Sequence, residues 1–197
     1  MKMRKLFNLK NVPLRRFVVT GLQGCLLILI LLGCQKLKPE SVSIPEYPDF
    51  EELMTQQVEI LGQTKIKKVV WLEGQSEVQE MTMDSANWAK ELSFLKEINP
   101  NQPEYVGAFE KSTEDNYQIL TLGPDERGAL KQVKYTYTEG EYHSILATFH
   151  EDKDVYVHHR DIEMNFEKGI LNSLSIDGYQ KMMLKDTVRF GINVNVQ

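Results

Sequence analysis

Between His150 and Glu163 the chain gathers His150, His158, His159, Asp152, Asp154, Asp161 and Glu163, its one local concentration of potential metal ligands. A catalytic zinc needs three converging ligands and an open fourth position. His158 and His159 are neighbours on a predicted strand, so their rings point to opposite faces, and His158 shares a face with Arg160 instead. No helical His-Glu-x-x-His supplies the site elsewhere. These read as solvent-facing strand histidines beside an acidic turn, and no metal site is expected. An activated serine needs a base within reach and usually a strained turn, and the chain has no Gly-x-Ser-x-Gly. The carboxylate pairs Glu51-Glu52, Glu114-Asp115 and Asp125-Glu126 are the residue types of glycoside hydrolysis. Each lies near a helix start or in a turn, where solvated acids are favoured without any function. Gly123-Pro124-Asp125-Glu126-Arg127-Gly128 reads as a hairpin connection, not a phosphate loop. The expectation is a chain that is not an enzyme, with no catalytic residues and no cofactor.

One cysteine carries more information. Cys34 follows the apolar run Phe17 to Leu32 and closes the tetrapeptide Leu31-Leu32-Gly33-Cys34, which resembles a bacterial lipobox. Lys2, Arg4, Lys5, Lys10, Arg15 and Arg16 precede the run, and cations before a short apolar segment that ends on small residues have secretory-signal proportions. The resemblance implies acylation at Cys34, cleavage before it and a further acyl chain on the new amino terminus. Such chains together grip a bilayer far more firmly than one alone. An uncleaved signal anchor, with Cys34 an ordinary apolar residue, is the competing reading. Gln35 and Lys36 follow the cysteine, with no aspartate, and by analogy with Gram-negative sorting this favours the outer membrane, facing the periplasm or the cell surface.

Cleavage changes the charge. All six of those cations precede Cys34 and no carboxylate does, so 17 of the 23 basic residues remain against 28 acidic ones, a net of −11. That surface repels phosphate backbones, and nucleic acid is not an expected partner. Cys25 leaves with the signal and Cys34 is consumed by acylation, so no disulfide is possible in the mature domain. The domain must then be stable through its core, for which about 160 residues suffice.

Three segments follow: signal peptide 1–33, acylated cysteine with a proline-, serine- and lysine-rich tether 34–48, and one globular domain 49–197. Asp49 and Glu52 form a capping pair before Phe50, Leu53, Met54, Val58 and Leu61 at helical spacing, with Gly62 as the stop. Ile66–Leu72 and the residues Val78, Met81 and Met83 predict a hairpin around Glu73-Gly74-Gln75. Asp84 predicts a second cap, followed by Trp88, Leu92, Leu95 and Ile98 as one helix ending at Asn99-Pro100. From Pro103 onward the period is two. Val133, Tyr135 and Tyr137, then Ile145, Ala147 and Phe149, then Ile162, Met164 and Phe166, then Leu174 and Ile176, then Val188 to Val196 mark successive strands. Turns are predicted at Glu139-Gly140, Asp152-Lys153, Lys168-Gly169 and Asp177-Gly178. The fold class is α+β: two amphipathic helices early, packed on a curved antiparallel meander of about seven to nine strands.

The order of features is similar to that of a group of uncharacterised Bacteroidetes membrane lipoproteins. Carrying the resemblance are Cys34, the Asp49 to Leu61 helix, Asn87-Trp88-Ala89-Lys90-Glu91-Leu92, Ile98-Asn99-Pro100 and Gly178-Tyr179-Gln180-Lys181-Met182. It implies a location and no activity. At strand spacing most of the aromatics, Trp71 to Tyr156, read as inward core, and Met81, Met83, Met164, Met182 and Met183 as cavity lining or gap fillers. Two functions fit: an interaction or scaffold module docking on an envelope protein partner, or a carrier holding an apolar ligand or lipid between sheet and helices. The carrier requires surplus space beside Val133, Phe149, Met164, Phe190 and Ile192. The scaffold requires those residues packed, with an apolar patch outside.

Overall fold

A computed structural model describes residues 47–197; the signal segment, Cys34 and most of the tether lie outside the described residues. Helix α1 (Phe50–Leu61) begins where Asp49 accepts hydrogen bonds from the N–H groups of Glu51 and Glu52. It ends at Gly62, whose positive φ lets its N–H reach back to the Val58 carbonyl. Phe50, Leu53, Gln57 and Leu61 are its buried stripe. Hairpin β1 (Thr64–Leu72) and β2 (Gln75–Met83) turns at Glu73-Gly74, both at positive φ, as a tight hairpin of matching twist requires. Asp84 caps α2 (Ser85–Glu91) by accepting the Asn87 N–H.

The helix predicted as one piece from Asp84 to Ile98 is two, because α3 (Phe94–Glu97) starts afresh after a break at Leu92-Ser93. Both the N–H and the hydroxyl of Ser93 bond to the Lys90 carbonyl, offering the backbone a turn in place of continued helix. After Asn99-Pro100 a 3-10 turn (Pro103–Tyr105) buries Tyr105. Its hydroxyl accepts the Leu130 N–H at 3.0 Å.

Seven further strands follow: β3 (Phe109–Glu114), β4 (Tyr117–Leu122), β5 (Leu130–Thr138), β6 (Glu141–Lys153), β7 (Tyr156–Glu167), β8 (Ile170–Met182) and β9 (Thr187–Val196). All nine pair antiparallel in one open sheet, in the order β2-β1-β9-β8-β7-β6-β5-β4-β3. The first hairpin therefore joins the meander through the last strand. The chain must cross from the β2 edge to the β3 edge between strands, and it does so through α2 and α3, which places both helices over one face of the sheet. Register shifts at Leu130/Gln132, Thr136/Tyr137 and Asn165/Phe166 add the local twist that bends a sheet around such a filling. The α+β architecture, with early helices on a nine-stranded meander, is thus the one the sequence predicts.

Two predicted turns are strand instead. Asp152-Lys153 ends β6, and the turn falls on Asp154-Val155. Asp177-Gly178 lies inside β8, a strand of 13 residues. Gly178 serves close packing, not chain reversal: a Cβ there would overlap the His159 carbonyl oxygen and lie 2.9 Å from Phe190 Cζ. Gly178→Ala is expected to cost about 1–3 kcal/mol, read as a lowered urea midpoint with an unchanged slope, since the obstructing atom belongs to a neighbouring strand.

The core runs from α1 across α2 and α3 to inward residues of all nine strands, in one contiguous cluster. Tyr47, in the segment predicted as tether, belongs to it. Its ring meets Phe109 edge-on at 5.7 Å, and Asn101 holds its backbone by bonding both the Tyr47 N–H and the Tyr47 carbonyl.

Candidate functional site

The concave face is where a carrier would keep its cargo, and its middle is filled. Val133 and Met164 are fully buried and Phe149 nearly so, beneath Trp88, Leu92, Leu95 and Ile98. Phe190 and Ile192 are half-buried. The methionines divide: Met83 and Met164 fill core, whereas Met81, Met182 and Met183 are exposed.

The space that remains lies outside the core. A groove of about 670 Å³ runs between α1 and the turns β5–β6 and β7–β8. Gln56 and Ile60 of α1 form one wall, Lys168, Gly169 and Ile170 the other, and Tyr135, Tyr137 and Tyr142 the floor. The three tyrosines share a face because the register shift at Thr136/Tyr137 brings Tyr137 opposite Tyr142, with ring centroids 4.8 Å apart. Tyr142 also contacts Phe50 and Phe166. Burial raises its phenol pKa well above the usual value, reinforced by Tyr137 and Tyr135, so it is a neutral donor at any physiological pH. Tyr137 is 52% exposed, and Ile60 and Ile170 flank the groove with exposed apolar surface. Rigid aromatic groups with a polar tip, beside aliphatic walls, are what protein partners dock on.

At the other end of the concave face sit His158 and Arg160, sharing a face as their spacing requires. The His158 ring lies 5.8 Å from Phe149 and 6.1 Å from Phe190, while the Arg160 guanidinium covers Phe149 at 4.4 Å and pairs with Glu97. His159 points to the convex face, stacked on Tyr179 at 5.2 Å and bonded to Asp161. His150 is beside it, 5.6 Å away. Among the described residues no group of three His, Cys, Asp or Glu is placed to hold a metal ion. Glu114 ends β3 with Asp115 in the turn after it, Asp125-Glu126 fall in the β4–β5 connection, and Glu51-Glu52 in the first turn of α1.

Burial, then the charge of Arg160, lowers the His158 pKa below the ordinary value, although Glu151 and Glu97 pull the other way. Between the folded pKa and the unfolded value of about 6.5, the unfolded chain holds the extra proton. This contribution to stability is therefore complete above about pH 6.5 and is lost as pH falls through the folded pKa. Urea melts from pH 7.5 to 5 should show the decline, and His158→Gln should flatten it.

The groove contains residues that sequence reasoning missed. Gln57 is a polar side chain on the buried stripe of α1, 1% exposed, and its amide bonds Gly169 O and Leu171 N, each at 2.8 Å. Nothing in the alternation of β7 and β8 announces that partner. Cys34, the one site residue predicted, lies outside the described residues. Among those residues no helix is long and apolar enough to cross a membrane. Comparison of the chain with protein-family models, with curated proteins and with solved structures finds no match, and the site is read from its own geometry.

Proposed function

We propose that the chain is a lipid-anchored cell-envelope lipoprotein of the Bacteroidetes type, acylated at Cys34 and held in the outer membrane, whose domain is a non-catalytic interaction module. The anchor rests on the lipobox-like Leu31-Leu32-Gly33-Cys34 behind a cationic and apolar segment. The observation that supports an interaction module over a carrier is the packing of Val133, Met164 and Phe149 beneath the helices, with the tyrosine groove open outside. A lipid cargo needs surplus enclosed space, whereas an envelope protein partner needs only the groove.

Two measurements test the two halves. Radiolabelled palmitate should enter the parent chain, and Cys34→Ala should abolish acylation and leave an unprocessed precursor. Label retained by Cys34→Ala would sink the anchor. A photocrosslinking residue at Tyr137 should give a discrete protein adduct in the intact envelope, and the same residue at Glu126 should not. Native mass spectrometry that released a defined apolar molecule from the folded chain, with no adduct at Tyr137, would establish the carrier instead.

A further inference from the structure

Four hairpins of this sheet turn on a charged residue at positive φ. Hairpins β1–β2, β5–β6 and β7–β8 turn on Glu73-Gly74, Glu139-Gly140 and Lys168-Gly169, and β3–β4 uses Asp115 at positive φ. The β8–β9 connection is Met183-Leu184-Lys185-Asp186, and Leu184 takes φ +59. A left-handed conformation is unfavourable for a leucine, and solvent at a turn favours glycine, asparagine or aspartate there. Leu184 is nonetheless 97% exposed, with Met183 at 64% and Met182 at 54% beside it. The neighbouring β6–β7 turn adds Val155, 58% exposed, and the Met183 N–H bonds the Val155 carbonyl at 2.9 Å. Two hairpin tips are thus joined into one projecting apolar end, opposite the turns at Glu139-Gly140 and Lys168-Gly169.

We propose that this end, Val155 with Met182, Met183 and Leu184, inserts into the interface of the bilayer that carries the protein's own anchor. The proposal rests on the acylation of Cys34 proposed above. Shape favours lipid over protein, because the tip is a projecting pair of turns whose hollow of about 530 Å³, beside Val155, Met182, Met183 and Leu184, is shallow and wide open to solvent. Charge is consistent with zwitterionic lipid: Lys153, Lys181 and Lys185 around the tip are balanced by Asp152, Asp154 and Asp186. Reach also fits. The twelve residues from Gln35 to Glu46 span up to about 40 Å when extended, at ~3.3 Å each. That matches the length of the 13-residue β8, about 40 Å, so a domain standing on its tips still leaves Tyr47 within the tether's range. Once the chain is anchored, the effective concentration of lipid at the tip is high, and a few apolar side chains suffice to hold an orientation.

The test uses the full chain in phosphatidylcholine vesicles, with an environment-sensitive dye on Leu184→Cys or, as a control at the opposite end, Glu114→Cys. The Leu184 dye should shift to the blue and lose at least threefold of its quenching by aqueous iodide, while the Glu114 dye stays fully quenched. Adding anionic lipid should change neither. Replacing Val155, Met182 and Met183 by Ser, which leaves the turn and its backbone bonds in place, should return the Leu184 dye to water. Flotation with the vesicles, compared with Cys34→Ala, reads the anchor separately. Flotation with an aqueous dye at Leu184 would overturn the tip and leave the anchor standing. A shifted dye at high lipid without Cys34-dependent flotation would keep the tip and overturn the anchor. A dye already shielded without lipid, in a chain of doubled mass by sedimentation, would overturn the proposal in favour of self-association.

Discussion

Trp88→Ala is expected to destabilise the domain by about 3–5 kcal/mol, the range for truncating a fully buried large aromatic. Trp88 is completely inaccessible on α2 and belongs to the contiguous core that the helices share with the sheet. For a domain of this size such a loss lowers the thermal midpoint by roughly 6–20 °C. The indole Nε1 finds no acceptor among the described residues. An unpaired buried donor costs about 1–3 kcal/mol. Trp88→Phe therefore removes a liability along with part of the volume, and its cost should be less than half that of Trp88→Ala in the same melts. Equal costs would show that the second ring, and not the total volume, is what the core requires.

Trp88 was legible as core because it begins the spacing Trp88, Leu92, Leu95, Ile98, all of them buried. That spacing did not reveal the break at Ser93, since a periodic apolar face survives a change of helical segment while the backbone bonds do not. Strand alternation was equally informative. Ile145, Ala147, Phe149, Ile162, Met164, Phe166, Leu174 and Ile176 all face inward. Turn chemistry succeeded where a polar residue preceded a glycine at positive φ, as at Glu139-Gly140 and Lys168-Gly169. It failed at Asp177-Gly178, because glycine also marks places where chains approach closely, and local sequence does not distinguish that use. The real turns at Asp154-Val155 and Met183-Leu184 carry the residues of strands.

The same physics explains why the candidate site was less legible than the fold. Alternation identifies a face as apolar, but whether that face encloses a cavity depends on what another segment places on it. Tyr135 and Tyr137 alternate as core residues, yet the bulge after Thr136 brings Tyr137 to the edge of a groove with half its surface in water. The groove depends on α1 for its second wall. Besides its buried Phe50, Leu53 and Leu61, what positions α1 is a pair of hydrogen bonds to Gly169 in the β7–β8 turn and Leu171 at the start of β8, made by a residue that helical periodicity counts as an exception on an apolar stripe.

Removing that residue's amide is the second large effect expected. Gln57→Ala should cost about 2–6 kcal/mol, because the Leu171 N–H and the Gly169 carbonyl would both lose a buried partner at about 1–3 kcal/mol each. Gln57→Leu should recover little of it, since refilling the volume satisfies neither group. Gln57→Glu separates hydrogen bonding from shape. Its carboxylate would accept from Leu171 N–H but face the Gly169 carbonyl oxygen, whereas its protonated form could donate to that oxygen. Burial and the facing carbonyl raise the folded pKa of the introduced carboxyl above the ordinary value near 4.3. Its stabilisation is then fully present below that ordinary value and lost as pH rises through the folded pKa. Urea midpoints of Gln57→Glu should accordingly improve relative to the parent as pH falls from 7.5 to 5, the reverse of the decline set by His158. A variant whose difference from the parent stays constant over that interval would show that Gln57 acts through its volume. The tyrosine groove would then owe its second wall to packing alone.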